Sequence, residues 1–423
     1  MTEKKIMFLV CNGAEARLVN FIWQSLKSQA MVRIINISTG SISREKSDQA
    51  PEEALATFGL PFKRLADYKT LDITKVLKKE APDVVVLGSD QEFLSQAFIY
   101  AANRLNIPTL LLRLGISTNI VNVPRMAFNS STHRLAHNSI NILRKYAYKV
   151  RTMIGSGYNP FKILREITTD IWMAFSVYDA SGKFGCRAIA IAGPWEKSVL
   201  MERGVSANKI FMTGNPEFSI SPIAENSCPT VDLRQSLGIK PEEKVILLLT
   251  SALVEHGFWT EEMRTDFIKS IINSVNSLLN DSFRLIIKIH PVENLDVYRK
   301  ILGLENKRVQ LYKDLKLTDA IAISDVVMAG YSTTVLQACA LRKPVIILNL
   351  FGSPEYLPYV EMGLATGVYN IENLKETVEK IADDVPTREQ LLKNIDLFLR
   401  NNGCNLDGKA ALRIADLILA LSK

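Results

Sequence analysis

Strand-length apolar runs alternate with longer amphipathic stretches along the first half of the chain. The apolar runs predict strands over residues 6–11, 32–37, 84–87, 108–112, 188–192 and 209–213. The longest amphipathic stretches between them predict helices over residues 15–29 and 92–106. Strands that alternate with helices are typical of a parallel sheet in an α/β domain.

The same alternation restarts after a polar stretch, residues 214–232, which contains Pro216, Pro222 and Pro229. A proline-containing segment without periodicity indicates a linker between domains. Beyond it, strands are predicted over residues 244–250, 283–289, 308–311, 325–328 and 344–348. Helices are predicted over residues 260–279, 294–302, 332–341, 371–382 and 387–399.

These patterns predict an α/β protein with two Rossmann-like domains, each built on a parallel sheet, facing a cleft that would hold the ligand. The N-terminal domain covers residues 1–218 and includes a basic, helical excursion over 121–185, where the alternation is interrupted. The second domain covers residues 230–400. Residues 401–423 form an amphipathic helix, which is a candidate to pack back on the N-terminal domain.

Length and composition agree with this organisation. A chain of 423 residues is expected to form more than one domain, and 47% hydrophobic with 22% charged residues is typical of a globular protein. No apolar run reaches the ~18–20 residues that span a bilayer, so a cytoplasmic protein is expected. The five cysteines are scattered and never spaced as Cys-x-x-Cys, which predicts neither a disulfide framework nor a zinc site.

The positive charge is concentrated in one segment. Residues 121–169 contain eight Lys and Arg against Glu166 alone, so they carry the whole net charge of +7. A localised basic segment predicts an anionic partner. The residues proposed to bind it are Arg144, Lys145, Lys149 and Arg151.

Three interpretations of this segment stay open. It binds an anionic glycan or lipid-linked acceptor, it rests on the anionic inner face of a membrane, or it is a solvated helical face. Nucleic acid is not expected as a partner, because the chain carries no recognisable nucleic-acid-binding module.

Two motifs end predicted strands in the second domain. His290 and Pro291 close one apolar run, and a glycine and hydroxyl-rich turn closes another, formed by Gly330, Tyr331, Ser332, Thr333 and Thr334. Ligands of parallel sheets bind at the carboxyl ends of the strands, and the N–H groups that begin a helix favour anions. The motifs therefore predict a phosphate site. The alternative is that the hydroxyls only cap the helix and that His290 bonds to backbone.

Further candidates follow the first strand of the second domain. Thr250, Ser251, Glu255 and His256 lie in a loop predicted to face the ligand. Lys288 alternates with apolar residues and is predicted to face solvent.

In the N-terminal domain, Asn12, Gly13 and Glu15 follow the first strand, and Asp90 follows the strand at 84–87. Transfer to a hydroxyl needs a group that takes its proton, and Asp90 and Glu15 are the predicted catalytic bases. The alternative for both carboxylates is helix capping.

Nothing in the sequence requires a metal or another cofactor. His133 and His137 have the spacing of a metal pair on a helix, but the Glu of a His-Glu-x-x-His motif does not accompany them. The chain also lacks an Asp-x-Asp motif and a P-loop. A metal-independent reaction is expected.

Several of these motifs resemble those of a known superfamily. The strand-end Lys-Ile-His-Pro at 288–291 with the turn at 330–334 resembles motifs of bacterial capsule and sialic-acid-type transferases and of wall-polymer glycerophosphotransferases. Residues 331–348 resemble the sugar-nucleotide loop of non-hydrolysing UDP-N-acetylglucosamine 2-epimerases, and residues 82–93 and 101–112 agree in order. The resemblance implies the GT-B fold, two Rossmann-like domains facing a cleft.

Two departures from the family pattern limit the resemblance. Gln337 stands where a carboxylate usually holds the ribose hydroxyls, and an amide bonds a diol more weakly. The loop after the first strand of the second domain lacks an Arg-Glu-Asn run, which counts against epimerase chemistry.

The resemblance implies a hexosyl- or sialyl-type glycosyltransferase of cell-envelope or capsule synthesis. It would move a sugar from a UDP- or CMP-linked donor to a surface polysaccharide or a lipid-linked acceptor. The alternatives are a 2-epimerase-like enzyme, a polyol-phosphate transferase with a CDP-linked donor, and a catalytically silent nucleotide-sugar-binding protein.

Overall fold

The structure is a computed structural model that describes residues 3–38, 50–113, 132–175, 181–219, 230–255, 258–279, 282–303, 308–330, 332–352, 358–401 and 408–422. These residues form two compact units. The N-terminal unit runs to Pro216 and resumes at Gly408, and the C-terminal unit begins at Glu217.

Parallel strands and helices alternate through the N-terminal unit. Its strands are β1 (Lys4–Val10), β2 (Ala30–Asn36), β3 (Phe62–Arg64), β4 (Val84–Leu87), β5 (Thr109–Leu112), β6 (Ala188–Ile191) and β7 (Ile210–Met212). Its first helices are α1 (Gly13–Leu26), α2 (Ala50–Thr57), α3 (Ile73–Glu80), α4 (Phe93–Arg104), α5 (Thr132–Gly155), α6 (Pro160–Phe175) and α7 (Pro194–Glu202). A one-turn helix, Pro216–Ser219, follows.

The seven strands pair in the order β3-β2-β1-β4-β5-β6-β7, and every pair is parallel. Successive side chains of a strand point to opposite faces, so β1 supplies both sides of the sheet. Met7 and Leu9 belong to the core on one side, and Ile6 and Phe8 to the core on the other. Two buried faces explain why these strands are continuous apolar runs.

The C-terminal unit repeats this architecture. Its strands are β8 (Lys244–Leu249), β9 (Phe283–Lys288), β10 (Val309–Tyr312), β11 (Val326–Ala329), β12 (Val345–Leu348) and β13 (Thr366–Val368). Its helices are α8 (Thr230–Ser236), α9 (Glu261–Val275), α10 (Leu295–Leu302), α11 (Leu317–Ile323), α12 (Thr334–Ala340), α13 (Leu374–Asp383) and α14 (Val385–Asn401). The strands pair in parallel in the order β10-β9-β8-β11-β12-β13.

The final helix, α15 (Ala410–Leu421), belongs to the N-terminal unit and packs against α1. Ile414 and Ile418 are buried in the same core as Leu18 and Ile22 of α1. The amphipathic pattern predicted for the end of the sequence is therefore explained by this packing, and the helix does pack back on the N-terminal unit.

The predicted fold class, α/β with two Rossmann-like domains on parallel sheets, is confirmed. The segment 214–232, which the sequence predicts to be a linker, is not irregular throughout, because α8 begins at Thr230. Across the residues that the structure describes, no helix is both long and apolar enough to cross a bilayer.

Candidate functional site

Three strand ends lie side by side in the C-terminal unit. In the sheet, β8 has β9 on one side and β11 on the other, with Leu249 opposite Lys288 and Ala329. The residues that follow these strands therefore share one edge, as the sequence predicted for parallel strands. A Cβ atom added to Gly330 would lie 3.8 Å from the Ser251 hydroxyl, so the ends of β8 and β11 are in van der Waals reach.

A buried carboxylate, Glu293, joins the ends of β8 and β9. It is 3% exposed and accepts hydrogen bonds from the His290 backbone N–H at 3.1 Å and from the Tyr298 hydroxyl at 2.6 Å. The Thr250 hydroxyl also donates to it, and His290 N donates to Thr250 Oγ1 at 2.8 Å. Glu293 thus fixes the backbone of the predicted ligand residue His290. Sequence reasoning missed it, although it stands three residues after His290.

Removing the phenolic hydroxyl of Tyr298 tests this network. We expect Tyr298→Phe to lower the free energy of unfolding by about 1.5–3 kcal/mol, because it deletes a hydrogen bond to a buried carboxylate. Urea unfolding followed by circular dichroism measures the change. Tyr369→Phe is the matched control, since Tyr369 is 54% exposed. Equal stability of the two variants would show that the hydrogen bond from the Tyr298 hydroxyl to Glu293 does not stabilise the fold.

Lys288 does not face solvent, which corrects the sequence prediction. It is 7% exposed, and its ammonium donates to the carbonyls of Ile289 at 3.0 Å and Lys313 at 2.7 Å. Burial lowers the pKa of Lys288. Lys313 in turn donates to the Glu293 carbonyl at 2.8 Å. The strand-end lysine is therefore part of the support beneath His290.

The hydroxyl-rich turn leads into α12, and here the capping interpretation applies to one residue. Ser332 Oγ accepts from Thr334 N at 3.3 Å and from the Thr334 hydroxyl at 3.1 Å, and Tyr359 donates to the Ser332 carbonyl at 2.9 Å. Thr333 is exposed and makes no side-chain cap. Tyr331 lies outside the described residues.

Gln337 has an unusual feature for a half-buried side chain. Its Oε1 atom is buried, yet it has no hydrogen-bond partner within the described structure. Buried polar atoms are nearly always paired. A ligand hydroxyl is the kind of group that would donate a hydrogen bond to this amide oxygen.

The remaining residues predicted for this edge are placed as follows. Pro291 is exposed beside His290. Glu255 accepts a hydrogen bond from Arg264 Nη2 at 2.7 Å, so this carboxylate holds the 3% exposed Arg264 of α9. His256 lies outside the described residues.

In the N-terminal unit, Glu15 is buried between two strand ends. Asn12 caps α1, with its Oδ1 accepting from Glu15 N at 2.9 Å, and Gly13 is the first residue of the helix. The Glu15 carboxylate is 5% exposed and accepts from Cys11 N at 2.6 Å. A Cβ atom on Gly88 would lie only 2.5 Å from Glu15 Oε1, so the glycine after β4 makes room for the carboxyl group.

Burial raises the pKa of Glu15 because the ionised form is desolvated, and repulsion from Glu92 adds to the effect. The N–H of Cys11 opposes it. A carboxyl group with a raised pKa at the carboxyl edge of a parallel sheet has the properties of a general base. Glu15 is also the acidic residue in the first turn of α1, and its carboxylate accepts from Cys11 N just before the helix, so its position fits the helix-start alternative as well and its catalytic role stays a prediction.

Asp90 has different surroundings. It is fully buried and accepts hydrogen bonds from Gly182 N at 2.8 Å, Phe184 N at 3.5 Å and Ser181 Oγ at 3.4 Å. Burial raises its pKa, and these N–H groups counteract the rise. The contacts are those of a carboxylate that holds the loop before β6. Its catalytic role stays a prediction.

Sequence reasoning also missed an arginine at this edge. Arg113 directly follows β5, and its Nε lies 3.6 Å from Oε1 of the buried Glu196, which accepts from Ala192 N at 2.6 Å. The Arg113 side chain is only 9% exposed. Its position after an apolar strand is the signal that identifies it. The edge therefore carries a cation as well as the carboxylates of Glu15, Asp90 and Glu196.

The four basic residues predicted to bind an anion divide into two pairs. Arg144 and Arg151 are exposed on α5, as expected. Lys145 lies 3.2 Å from Glu92. Lys149 is 1% exposed and lies 2.6 Å from Asp170. The prediction for Lys149 is corrected, because a buried and neutralised ammonium is not accessible to an external anion.

The described residues contain no group of three His, Cys, Asp or Glu side chains that could hold a metal ion. The backbone of His133 and His137 lies in α5.

Comparison with known proteins defines the class of fold. No family model and no curated protein matches the sequence. Among solved structures, MnaA of S. aureus in complex with UDP matches with a TM-score of 0.60 and 17% identity, over 99% of this chain and 97% of that one. The UDP-GlcNAc 2-epimerase of Neisseria meningitidis, bound to UDP-GlcNAc, matches with a TM-score of 0.60 and 16% identity, over 98% and 100%.

The wall teichoic acid polymerase TagF matches with a TM-score of 0.58 and 13% identity, over 99% of this chain and 88% of that one. At these identities the likeness concerns the fold. The chain has the GT-B fold of these neighbours, so the resemblance predicted from its motifs is confirmed at the level of the fold. The neighbours include nucleotide-sugar epimerases and a wall-polymer polymerase.

Proposed function

We propose that this protein is a glycosyltransferase that moves a sugar from a UDP- or CMP-linked donor to a surface polysaccharide or a lipid-linked acceptor. The observation that carries the proposal is the shared edge of β8, β9 and β11, where Ser251, His290 and Gly330 follow adjacent strands. The structural neighbours solved with UDP or UDP-GlcNAc support a nucleotide-sugar donor.

In this proposal the C-terminal unit binds the donor. His290 and the turn of Ser332, Thr333 and Thr334 hold the phosphate groups, because N–H and O–H donors stabilise a leaving phosphate. Gly330 leaves room for the ligand to approach the backbone. The buried amide oxygen of Gln337 accepts from a ribose hydroxyl. Thr250 and Ser251 line the site, and the proposal includes neither metal nor other cofactor.

The N-terminal unit supplies the base. Glu15 takes the proton of an acceptor hydroxyl. The oxygen of that hydroxyl bonds to the anomeric carbon of the donor sugar, and the bond between this carbon and the donor phosphate breaks. The raised pKa of Glu15 makes it a stronger base than an ordinary carboxylate. Asp90 is the second candidate, and its hydrogen bonds to residues 181–184 make it the weaker one.

We further propose that the enzyme works in the cytoplasm at the inner face of the membrane, in synthesis of capsule or another cell-envelope polymer. The wall teichoic acid polymerase among the structural neighbours supports an envelope role, and it keeps a polyol-phosphate transferase with a CDP-linked donor as a variant of the proposal.

A 2-epimerase is the second candidate function. The match to the Neisseria enzyme over its whole chain favours it, whereas the missing Arg-Glu-Asn run after β8 counts against it. Incubation with UDP-N-acetylglucosamine and no acceptor separates the two. We expect no 2-epimer, and net formation of the 2-epimer would establish the epimerase instead.

Nucleotide binding is the first test. We expect one of UDP, CMP, CDP and GDP to stabilise the protein by about 2.7 kcal/mol at 100 times its dissociation constant, measured by thermal shift. His290→Ala and Ser332→Ala should weaken that nucleotide, whereas Ser236→Ala, an exposed serine on α8, should not.

Absence of any shift at millimolar nucleotide would refute the donor site. A shift that neither variant changes would mean that the nucleotide binds elsewhere. Binding without transfer or hydrolysis, with any acceptor tried, would indicate a nucleotide-sugar-binding protein without catalysis.

A further inference from the structure

We infer that the outer face of the α5–α6 helical pair binds to the surface of an anionic lipid bilayer, with apolar side chains inserted among the lipids and arginines at the headgroups. This inference sharpens the membrane location that belongs to the proposed function. Its test needs neither donor nor acceptor, so the failure of one is distinguishable from the failure of the other.

Exposed apolar side chains are concentrated on these two helices. The outer face carries Leu143, Ile154, Phe161, Leu164 and Ile171. Phe161 is 83% exposed and Leu143 is 66% exposed. Grouped exposed apolar side chains on a soluble protein mark a contact with a partner or a membrane. They recur at helical spacing. Each helix therefore has an apolar surface that is turned outward, in addition to the one that packs against the protein.

The same face is basic. Arg144, Arg151 and Arg165 are exposed among the apolar side chains. Lys162 is half-buried, and its ammonium lies 4.5 Å from the centre of the Tyr158 ring. An exposed face that mixes arginines with Phe, Leu and Ile has the composition of a helix lying in a membrane interface.

The acidic residues of the pair point the other way. Residues 142–171 contain only two carboxylates, Glu166 and Asp170, and these lie 3.9 and 2.6 Å from the ammonium of the buried Lys149. Tyr100 of α4 also donates to Glu166 at 2.5 Å. The inner face is therefore internally neutralised, whereas the arginines of the outer face form no ion pair with the part of the chain that the structure describes.

This charge separation selects the partner. In a symmetric dimer the patch would meet its own copy, so two surfaces of the same positive charge would be brought together. A zwitterionic membrane would satisfy the apolar side chains but not the charge. An anionic bilayer satisfies both, since basic residues are attracted to its surface while apolar side chains enter the acyl boundary.

Vesicle sedimentation with the full chain tests the inference. We expect the protein to sediment with phosphatidylcholine vesicles that contain about 30% phosphatidylglycerol, and to bind pure phosphatidylcholine weakly. Binding should weaken as salt rises from about 0.1 M to about 0.5 M, because exposed charges are screened.

Two triple variants separate the contributions. Leu143→Ser with Phe161→Ser and Leu164→Ser should lower the partition coefficient at least about 30-fold, or about 2 kcal/mol. Arg144→Gln with Arg151→Gln and Arg165→Gln should lower it about tenfold and reduce the salt dependence. All six side chains are exposed, so both variants should unfold at the wild-type temperature.

Control variants carry comparable changes, apolar to serine and basic to glutamine, on the C-terminal unit. They are Val231→Ser with Val385→Ser and Leu397→Ser, and Lys375→Gln with Lys380→Gln and Lys393→Gln, all at exposed positions. Both controls should bind vesicles as the wild type does.

Three results would overturn the inference. The first is that the wild type fails to sediment with anionic vesicles. The second is that the control variants lose as much binding as the patch variants. The third is that the wild type is an oligomer and the apolar triple variant a monomer by analytical ultracentrifugation, while vesicle binding is unchanged. That result would mean that a second copy of the chain covers the face.

Discussion

Replacing Lys149 with methionine should lower the free energy of unfolding by about 3–5 kcal/mol, the cost of leaving a buried charge without its partner. The ammonium lies 2.6 Å from Asp170 and 3.9 Å from Glu166, and the Lys149 side chain is 1% exposed. Two carboxylates would remain in a poorly solvated site, next to the rings of Phe93 and Tyr100. Urea unfolding at neutral pH measures the loss.

The pH dependence and a second substitution identify the cause. Burial raises the pKa of Asp170, and the bond to Lys149 opposes this rise. Without Lys149 this pKa rises further, and the stability lost at neutral pH should return as the pH falls through it. Lys149→Met combined with Asp170→Leu should recover much of the loss at neutral pH. A loss that neither acid nor the second substitution relieves would point to packing.

The control is Arg151→Gln on the same helix. Arg151 is exposed, so its charge is solvated and its removal should change stability by no more than about 0.5 kcal/mol. An equal effect of both substitutions would mean that Lys149 stabilises only through general electrostatics.

Glu15→Gln should reduce the rate of sugar transfer by about 10²–10⁴-fold while nucleotide binding is retained, because it removes the proposed base and keeps its shape. Transfer is measured with the nucleotide sugar whose nucleotide gives the thermal shift. The wild-type rate should rise with pH through the pKa of Glu15, which burial raises above its usual value. This rise should be missing in the variant.

Stability separates catalysis from misfolding. A carboxyl group whose pKa is raised on folding stabilises the folded state below its unfolded pKa, and this contribution is lost as the pH rises through the folded pKa. Glutamine resembles the protonated carboxyl, so Glu15→Gln should be at least as stable as the wild type at neutral pH. Asp90→Asn is the comparison. If it abolishes transfer in a folded protein and Glu15→Gln does not, Asp90 is the base.

Most of the fold could be predicted because buried parallel strands are continuous apolar runs. The predicted strand at 84–87 coincides with β4, and that at 325–328 differs from β11 by one residue. The strands that were missed, β3 and β13, have three residues each and lie at sheet edges. A run of three residues is too short to establish a period by itself; β7 has the same length and also lies at an edge, but it falls within the predicted strand at 209–213.

The site was predictable only where it follows from strand ends. Ser251, His290 and Gly330 lie at one edge because parallel strands end together. The burial of Lys149 was not predictable, because its partner Asp170 is 21 positions away and the two meet only when α5 packs against α6. Glu293 was missed for a similar reason, since its partners come from two strand ends and a helix.

The final helix has a consequence for synthesis on the ribosome. Its residues Ile414 and Ile418 complete a core that begins with Ile6, yet the whole C-terminal unit is translated in between. At common rates of elongation the intervening residues take roughly 10–40 s to appear. During that interval α1 exposes the apolar face that α15 later covers. The first unit to be synthesised should therefore be the last to acquire protease resistance, and nascent chains should depend on chaperones until α15 emerges.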